Sequence, residues 1–422
     1  MLFCERNPRK GQRLNMSRVL RFLTNFFPVL LLIQAYAAVK FYHAFQAVSG
    51  VSSETLKVII FSVVSYVDLY VVCLISFRLS GAQEAAHKMA AGSWLWDFFL
   101  AYPFWFSFVF VVETLPWLLL IEFAKFPLYP FYLRVHDAWL LVENSLVLAV
   151  FIFYFCFILV RVVLDTRSVR VSTIVYKQPG LSSLVNGLRI AHISDLHADN
   201  RTHGRKLRRF IASVNALAPD IVFFTGDLVS SNGEYIFDAA TVLGKIRSRY
   251  GVFACVGDHD FGNGNQNVVV SLNENGIKVL QDINEIVNAG RAQLFVTFIT
   301  NVYSQRPSLD KLQFLMGAQP RGALDILVTH QPTETIVDLA AEHGYHLCLA
   351  GHTHGGQVNF KPFGLLFSAA QIETRFFKGV YRVGQMLVNV SSGLGFTNVP
   401  LRYRAPAEIS IIQIGRGTDG ES

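Results

Sequence analysis

The spacing of apolar residues divides the chain into two halves. Up to about residue 163 the apolar runs are long and almost unbroken, whereas from residue 169 short apolar runs alternate with amphipathic stretches. A helix needs about 20 apolar residues to cross the hydrocarbon core of a bilayer. The first half therefore predicts a membrane α-helical bundle, and we expect four spans, at residues 19–39, 56–77, 94–123 and 139–163.

The third apolar run is longer than one span requires, and it contains Pro103 and Pro116. It fits a single kinked helix, or a helix followed by a short re-entrant piece around residues 116–130. We expect four spans in total, and five spans are the alternative.

The second half predicts an α/β domain. Strand patterns lie at residues 169–176, 188–193, 220–224, 251–256, 326–329 and 346–349, with a strand-rich tail at 376–414. Helical patterns lie at 204–217, 237–248, 266–275 and from about residue 332. This order indicates a two-sheet α/β sandwich flanked by helices. The expected units are a basic cytoplasmic tail (1–17), a transmembrane helical region (18–165) and a C-terminal domain (166–422).

Charge adds an orientation to this picture. The formal net charge is +7, and basic residues cluster before residue 22 and again between Arg161 and Arg170. Such clusters beside spans are typical of segments on the cytoplasmic side. With four spans, the N-terminal tail, the loop at 78–88 and the C-terminal domain share that side, whereas five spans place the domain opposite. The charge therefore predicts a membrane partner, and no nucleic-acid motif accompanies it.

One acidic residue lies inside a predicted span. Asp68 is midway along the second span, where an ionisable group is costly and marks either a functional site or a polar contact within the bundle. The sequence leaves both interpretations open. We expect Glu113 and Glu143 to lie nearer the ends of their spans.

Metal-ligand residue types follow five of the predicted strands. They are Asp195-Leu196-His197, Gly226-Asp227, Gly257-Asp258-His259-Asp260, His330, and Gly351-His352-Thr353-His354. One such cluster alone would be a turn or a cap. Five in order, each at the carboxyl end of a strand, indicate one shared crevice. Carboxylate and imidazole ligands together suit Mn, Fe or Zn better than Ca.

The spacing within the first and last clusters supports this interpretation. On an extended chain, residues i and i+2 point to the same side, so Asp195 and His197 are expected to hold one cation. His352 and His354 have the same spacing, although on a turn they can divide between two cations. The glycines beside the ligands allow tight turns and close backbone approach.

The whole set of motifs resembles the calcineurin-like metallophosphoesterase family over about residues 167–414. Gly355-Gly356-Gln357, Ser392-Gly393-Leu394-Gly395 and Pro400-Leu401-Arg402 are similar to the membrane-anchored branch of that family. The resemblance implies a two-sheet α/β/β/α sandwich.

The resemblance also implies roles for the motif residues. One metal ion would be held by Asp195, His197, Asp227 and His354, and the other by Asp227, Asp258, His330 and His352. Asp227 would bridge two divalent ions (Mn, Fe or Zn, with manganese expected), which would share a hydroxide that attacks phosphorus. His259 would stabilise the transition state or protonate the leaving oxygen, and Asp260 would orient His259.

One position departs from the family pattern, because Asp258 stands where the motif has Asn. An added negative charge holds a cation more tightly and lowers its Lewis acidity. The open interpretations are an active enzyme with altered metal preference, a slow enzyme, and a metal-binding remnant. We favour the first, which predicts that Asp258→Asn retains metal and activity.

Two basic groups leave alternatives open. Arg205, Lys206, Arg208 and Arg209 form either a solvated helix face or a contact for anionic headgroups. Arg402 and Arg404 either meet a substrate phosphate or lie on the surface.

The leading hypothesis is a membrane-anchored, dinuclear-metal phosphoester hydrolase. The anchor favours a lipid or lipid-linked phosphoester or pyrophosphate as substrate. The alternative is a catalytically weak, metal-binding membrane sensor or scaffold marked by Asp258. A third possibility is a transport role for the bundle, with Asp68 as its polar site.

Overall fold

The computed structural model describes residues 9–82, 92–230, 233–262, 265–318, 323–397 and 399–416. The start of the predicted tail (1–8) and most of the predicted basic loop (83–91) lie outside these residues. Four long helices make up the first half: α1 (Arg9–Gln46), α2 (Ser53–Leu79), α3 (Tyr102–Phe123) and α4 (Tyr132–Arg167). Helix α1 thus begins within the predicted tail.

The described residues contain four helical stretches long and apolar enough to cross a membrane, at Asn25–Gln46, Ser53–Phe77, Trp94–Phe131 and Arg134–Arg167. The third includes a π-helical turn (Asp97–Ala101) before α3 and a 3₁₀ turn (Phe126–Phe131) after it. Pro103 lies in the first turn of α3, where a missing N–H is tolerated. Half of this stretch is buried, against about a fifth in the other three, so α3 is the central helix.

Several charged and polar side chains inside the bundle are paired. Gln34 Nε2 donates to Asp68 Oδ1 at 3.0 Å, and both residues are buried. This contact supports the interpretation of Asp68 as a polar contact within the bundle. At the far ends of the helices, Lys40, Glu122, Lys125 and Glu143 form an ion cluster, with Lys40 Nζ 2.7 Å from Glu143 Oε1.

The second half has the predicted two-sheet sandwich. The first sheet contains β1 (Val169–Gln178), β2 (Arg189–Ile193), β3 (Ile221–Phe224), β4 (Val252–Ala254), β5 (Ile277–Val279) and β14 (Ala407–Arg416), in the order β1-β14-β2-β3-β4-β5. The second contains β6 (Ile283–Ala289), β7 (Ala292–Ile299), β8 (Leu324–Thr329), β9 (Leu347–Ala350), β12 (Gly379–Val383) and β13 (Met386–Val390), in the order β12-β13-β9-β8-β7-β6. A short hairpin, β10 (Asn359–Phe360) with β11 (Phe367–Ser368), lies outside both sheets.

Helices cover the outer faces of the sheets. They are α5 (Gly204–Ala216), α6 (Ile236–Leu243), α8 (Asn265–Glu274), α9 (Leu309–Gly317) and α10 (Glu334–Glu342), whereas the short helix α7 (Asp258–Gly262) follows the end of β4. Between the sheets, fully buried side chains such as Ile190, Phe223, Val296 and Leu349 form a continuous core. A second core packs α5, α6 and α8 on the first sheet, and a third packs α9 and α10 on the second. The layers are therefore α/β/β/α, as the sequence predicts.

The hairpin β6–β7 and helix α9 were not predicted. Strand β6 is an edge strand with a mixed burial pattern, so its apolar residues are interrupted and the run looks irregular. The signal that the sequence does carry is Gly290, which turns the hairpin with φ of 69°.

The two halves of the molecule share one apolar cluster. Leu401 and Tyr403 of the C-terminal half are fully buried among side chains of α1, α3 and α4. The ring of Phe360 lies 5.9 Å from that of Phe108, between centroids. The C-terminal half therefore packs directly on the central helix of the bundle.

Candidate metal centre

The seven predicted metal ligands converge at the carboxyl ends of the parallel strands. Their potential ligand atoms fall into overlapping groups, within each of which all ligand atoms lie within 4.8 Å of one another. The groups are Asp195–His197–His354, His197–Asp227–His259, Asp258–His330–His352 and Asp195–Asp227–His330, and the second adds His259 to the seven predicted ligands. The overlap produces one continuous centre, buried except at His259 and His352.

Asp227 lies in the middle of this centre. Its Oδ2 atom is 3.3 Å from His197 Nε2 and 3.4 Å from His330 Nε2. On the His197 side, His354 Nε2 is 2.9 Å from His197 Nε2, and it is 3.4 Å from Asp195 Oδ1. Ligands bound at 2.0–2.2 Å to one cation are separated by about 3–3.5 Å, so these spacings fit a shared ion.

The His330 side has the same character. Asp258 Oδ2 is 2.7 Å from His352 Nδ1 and 3.6 Å from His330 Nε2. His330 Nδ1 donates to the carbonyl of Thr225 at 2.7 Å, so Nε2 faces the carboxylates of Asp227 and Asp258. Burial alone would lower the pKa of His330, but the charge of these carboxylates raises it well above its ordinary value, and a bound cation would take the place of the Nε2 proton. Among the described residues, no hydrogen-bond partner reaches His330 Nε2. A buried imidazole in this tautomer suits a metal ligand with its orienting carbonyl.

The ligands are presented by unusual backbone conformations. Five of them have positive φ: Asp195 (51°), His197 (43°), Asp227 (59°), His352 (72°) and His354 (50°). The left-handed region costs a non-glycine residue roughly 1–2 kcal/mol, and such strain clusters at functional sites. The extended geometry expected for Asp195 and His197 is therefore wrong, whereas the turn kept as the alternative for His352 and His354 is observed, with the two histidines in different groups. Each ligand is aimed by its own turn instead.

Two glycines make these turns possible. A Cβ on Gly226, which has φ of 91°, would lie 2.5 Å from the backbone nitrogen of Gly257. A Cβ on Gly393 would lie 2.7 Å from the Cβ of Asp195. The Ser392–Gly395 stretch thus wraps the first ligand motif, which gives a physical reason for its presence beside the site.

Asp258 is held by donors on one side and by imidazoles on the other. Its Oδ1 accepts hydrogen bonds from the Tyr303 N–H and from Gln331 Nε2, both at 2.8 Å. The Gln331 amide also reaches Oδ2 at 2.8 Å. An Asn side chain here would have to place its NH₂ group either against these donors or toward the metal position. The local structure therefore fits a carboxylate.

Asp260 has partners other than the predicted one. Its Oδ2 accepts the N–H groups of Asp227 and Gly257, and its Oδ1 accepts that of Leu228, all at 2.9 Å. Burial, with the nearby charge of Asp227, raises the pKa of Asp260 to about 7. These hydrogen bonds fix the turn that presents Asp227, and the orientation of His259 by Asp260 stays a prediction.

A backbone carbonyl orients the ring of His259. Its Nδ1 donates to the carbonyl of Ser230 at 2.5 Å, and its backbone N–H donates to Asp227 Oδ1 at 2.8 Å. Its ring lies 4.7 Å from the ring of His197, between centroids. The imidazole is only partly buried, so it stands at the mouth of the centre.

Burial and neighbouring charges tune the ligands. Burial lowers the pKa of His197 to about 3 and holds that of His354 well below its ordinary value, so both imidazoles are neutral and free to ligate. Burial alone would raise the pKa of Asp227, but the facing His330 and His259 outweigh it, and the pKa is lowered. The bridging carboxylate is therefore ionised.

Three side chains around the centre carry no signal in the sequence. Tyr303 and Glu373 both reach His352 Nε2, at 3.2 and 3.1 Å, and Gln331 holds Asp258 as described above. Glu373 lies 70 residues beyond Tyr303. Carboxylates behind a ligating histidine fix its orientation, and only the fold brings these residues together.

Arg402 has a structural position that the sequence did not predict. Its side chain is fully buried, and its guanidinium donates to the carbonyls of Ser392, Gly393, Gly395 and Ala405. Both predicted roles, binding phosphate and lying on the surface, are therefore wrong for Arg402. It holds together the turns behind the first ligand motif.

The basic run on α5 divides in two. Arg205, Arg208 and Arg209 are exposed, as a solvated helix face requires. Lys206 is different, because its Nζ lies 3.8 Å from the centroid of the Phe396 ring. Burial lowers the pKa of Lys206 to about 8.

The loop that follows the first ligand motif is tied to the bundle. Arg201 Nε donates to Asp97 Oδ2, and Arg201 Nη2 donates to Asp97 Oδ1, both at 2.7 Å. Both side chains are less than a tenth exposed. Asn200 Nδ2 also donates to the carbonyl of Gly92 at 2.8 Å. No sequence pattern indicates this ion pair, in which Arg201 lies four residues after the predicted ligand His197.

Comparison with known proteins agrees with the geometry. Residues 188–356, which include all seven predicted ligands, match the profile of the family described as Calcineurin-like phosphoesterase. An "Uncharacterized metallophosphoesterase" from Helicobacter pylori is 31% identical over 239 residues, which cover 56% of this chain and 61% of the relative. A "Transmembrane protein with metallophosphoesterase domain" from Danio rerio is 30% identical over 248 residues, 55% of this chain and 54% of that protein. The chain thus spans between half and two thirds of these relatives.

Proposed function

Because residues 188–356 form a calcineurin-like phosphoesterase domain, we propose that this protein is a membrane-anchored, dinuclear metal-dependent phosphoester hydrolase. The position of Asp227 carries the proposal. Its Oδ2 atom stands 3.3 Å from His197 Nε2 and 3.4 Å from His330 Nε2, between the two halves of the ligand set. A carboxylate between two groups of ligands suits a pair of cations.

The residues divide into two ligand groups that share Asp227. In this proposal the first group would be Asp195, His197, Asp227 and His354, and the second would be Asp227, Asp258, His330 and His352; the clustering of their ligand atoms supports this division. Two divalent cations there, of the Mn, Fe or Zn type, would supply a hydroxide nucleophile and offset negative charge on the phosphoryl group. The ligand residues keep their donor atoms in place through turns fixed by Asp260 and by buried glycines.

His259 would protonate the leaving oxygen. Because its Nδ1–H donates to the Ser230 carbonyl, the second proton of a charged imidazole has to sit on Nε2. The ring stands at the mouth of the site beside His197, where a departing alkoxide would emerge. General acids placed in this way contribute about 10²–10⁴-fold to the rate.

The proposed organisation keeps three units: a basic cytoplasmic tail (1–17), a transmembrane region (18–165) and the catalytic domain (166–422). Four apolar helices and relatives named as transmembrane proteins support a multi-pass anchor. Four spans put the basic flank after Arg161 on the same side as the basic N-terminus, which favours a cytoplasmic catalytic domain. An anchored site favours a lipid or lipid-linked phosphoester or pyrophosphate as substrate.

The first test is hydrolysis of chromogenic phosphomonoesters and phosphodiesters by the purified full chain in detergent with Mn, Fe, Zn or Mg. Bound metal is measured in parallel. We expect turnover that depends on a transition metal, and Asp227→Ala should lose both turnover and most bound metal. His343→Ala, at the C-cap of α10 and outside the ligand groups, is the matched control and should retain both. Metal-independent turnover, or full activity in Asp227→Ala, would refute the proposal.

The second candidate function is a metal-binding sensor, and Asp258 is the observation that favours it. A third carboxylate in the centre strengthens cation binding while it weakens the Lewis acidity on which hydrolysis depends. Stoichiometric metal binding without turnover on soluble or lipid phosphoesters would support the sensor over the enzyme.

A further inference from the structure

One stretch of the catalytic half exposes many large apolar side chains. We call residues 358–372 the apolar segment; it contains the β10–β11 hairpin and a following 3₁₀ turn (Ala369–Ile372). Its exposed apolar residues are Phe363 (57%), Leu365 (64%), Leu366 (38%), Phe367 (52%) and Ile372 (90%). Such a patch marks an interaction surface.

The segment lies beside the bundle at a depth that can be estimated. The ring of Phe363 is 5.0 Å from the ring of Trp117 on α3. Trp117 comes 20 residues after Asp97, which pairs with Arg201, and five residues before Glu122, which belongs to the far ion cluster. At 1.5 Å per residue, the contact lies about 30 Å from the first charged group and about 8 Å from the second. The apolar segment therefore contacts α3 between Asp97 and Glu122, closer to Glu122.

A non-helical segment at such a depth needs internal partners for its backbone, because hydrocarbon offers none. The structure provides them. Asn359 N–H donates to the Tyr403 carbonyl at 3.0 Å, and Leu365 N–H donates to the Pro362 carbonyl at 3.0 Å.

The buried Glu113 of α3 anchors the same region. It accepts the Tyr403 hydroxyl at 3.0 Å and faces the Lys361 N–H at 3.4 Å. Arg404 Nε is also 3.4 Å from the Glu113 carboxylate. Glu113 is thus not near the end of its span as predicted; it is a mid-helix contact for the catalytic half.

The apolar segment also borders the metal centre. Its 3₁₀ turn packs against the His354–Gly356 turn, which holds one predicted ligand. Ile372, the most exposed residue of the segment, directly precedes Glu373, whose carboxylate is 3.1 Å from His352 Nε2. The exposed apolar surface therefore runs from mid-bundle to the edge of the site.

We propose that the apolar segment is embedded in the bilayer and holds the metal centre against the membrane surface. The substrate is then a membrane lipid phosphoester whose acyl chains stay in the hydrocarbon. The occupant of this surface is the lipid itself, because the segment packs on α3 next to the exposed apolar side chains of that helix. Leu119, Leu120 and Phe123 of α3 are exposed beside Trp117 and require the same apolar surroundings. The inference rests on the membrane anchoring in the proposed function.

The test measures depth directly and does not depend on activity. Leu365→Cys carries a bimane label in full-length protein in which Cys4, Cys73 and Cys156 are alanine; Cys255 and Cys348 are fully buried and can stay. The protein is reconstituted into phosphatidylcholine vesicles with or without bromine on the acyl chains, and iodide serves as the aqueous quencher. We expect brominated lipid to remove most of the bimane emission at position 365 and iodide to leave it unchanged.

Two positions calibrate the experiment. Phe153→Cys, on the exposed face of α4 (59%), reports a lipid-facing label, and Phe314→Cys, equally apolar and exposed on α9 (75%), reports a label on the water-facing side of the domain. Phe367→Cys repeats the measurement within the segment. Suppose that the labels at positions 365 and 367 are quenched by iodide, as the label at position 314 is, while brominated lipid quenches the label at position 153. The inference is then wrong, and the proposal of an anchored enzyme stands. If 153 also follows 314, the membrane anchor itself fails, and this inference fails with it.

Discussion

The metal centre and the contact between Asp97 and Arg201 bury charge in opposite ways. In the centre, the carboxylates of Asp195, Asp227 and Asp258 converge, and the arrangement calls for cations from solution. At the contact, one carboxylate meets one guanidinium in a bidentate pair at 2.7 Å. The converging carboxylates of the centre are arranged to bind cations. The Asp97–Arg201 pair neutralises its own charge and fixes the loop that carries Arg201. Four residues of chain separate them, so the fixed contact steadies the loop that begins with His197.

The largest effect should come from the centre. His259→Ala removes the proposed proton donor without removing a ligand of either group, so kcat should fall about 10²–10⁴-fold while bound metal stays constant. Steady-state kinetics with metal analysis of the same sample is the measurement. A variant that loses metal in proportion to activity would make His259 a ligand instead.

The ion pair should affect stability more than chemistry. Arg201→Ala leaves the buried Asp97 carboxylate without its partner, which typically costs about 3–5 kcal/mol. Thermal unfolding of the full chain in detergent measures the loss. Asp97→Ala should cost a similar amount, and the double variant should cost clearly less than the sum of the two. Additive losses would show that the two side chains act independently.

Asp258→Asn tests how the centre accommodates its third carboxylate. The sequence predicted that this variant keeps metal and activity. In the structure the Tyr303 N–H and Gln331 amide both donate to Asp258, so an Asn has no good orientation. We now expect metal affinity to fall about 10–100-fold, as for other changes around a ligand. Titration with Mn and Zn against a chelator measures it, and unchanged affinity would restore the original prediction.

The smallest expected effect is the difference in the free energy of unfolding between variants at Arg208 and Lys206, both on α5. Arg208 is exposed, and Arg208→Ala should change the free energy of unfolding by less than about 0.5 kcal/mol. Lys206→Ala removes the contact over Phe396 and should cost about 1–2 kcal/mol. Denaturant unfolding of both variants is the measurement. Equal losses would mean that the contact with Phe396 contributes nothing.

The same comparison explains what the sequence could predict. Each ligand follows an apolar strand, and a strand end is a local feature that a reader of the sequence can recognise. The ligand set and the layered fold therefore followed from pattern and resemblance. The geometry around His197 did not, because left-handed backbone at a non-glycine ligand has no sequence signature.

Contacts between residues far apart in the sequence could not be predicted from local sequence patterns. Asp97 and Arg201 are 104 residues apart, and Tyr403 lies 290 residues from Glu113. Apolar pattern placed the helices but gave no sign that one face of α3 is covered by the catalytic half. Acidic residues within the span were visible, yet their partners depend on how the two halves pack.

The position of β14 has a consequence for how the protein is made. This strand lies inside the first sheet, parallel to β1 and antiparallel to β2, and it pairs with both. The four apolar helices leave the ribosome long before it, so in the proposed arrangement the sheet stays open while the chain is already held at the membrane. The domain can close only after residue 416 has been synthesised. In that interval the exposed edges of β1 and β2 are open to pairing with other chains. Correct biogenesis should therefore depend on chaperones that act on a membrane-tethered, half-built sheet.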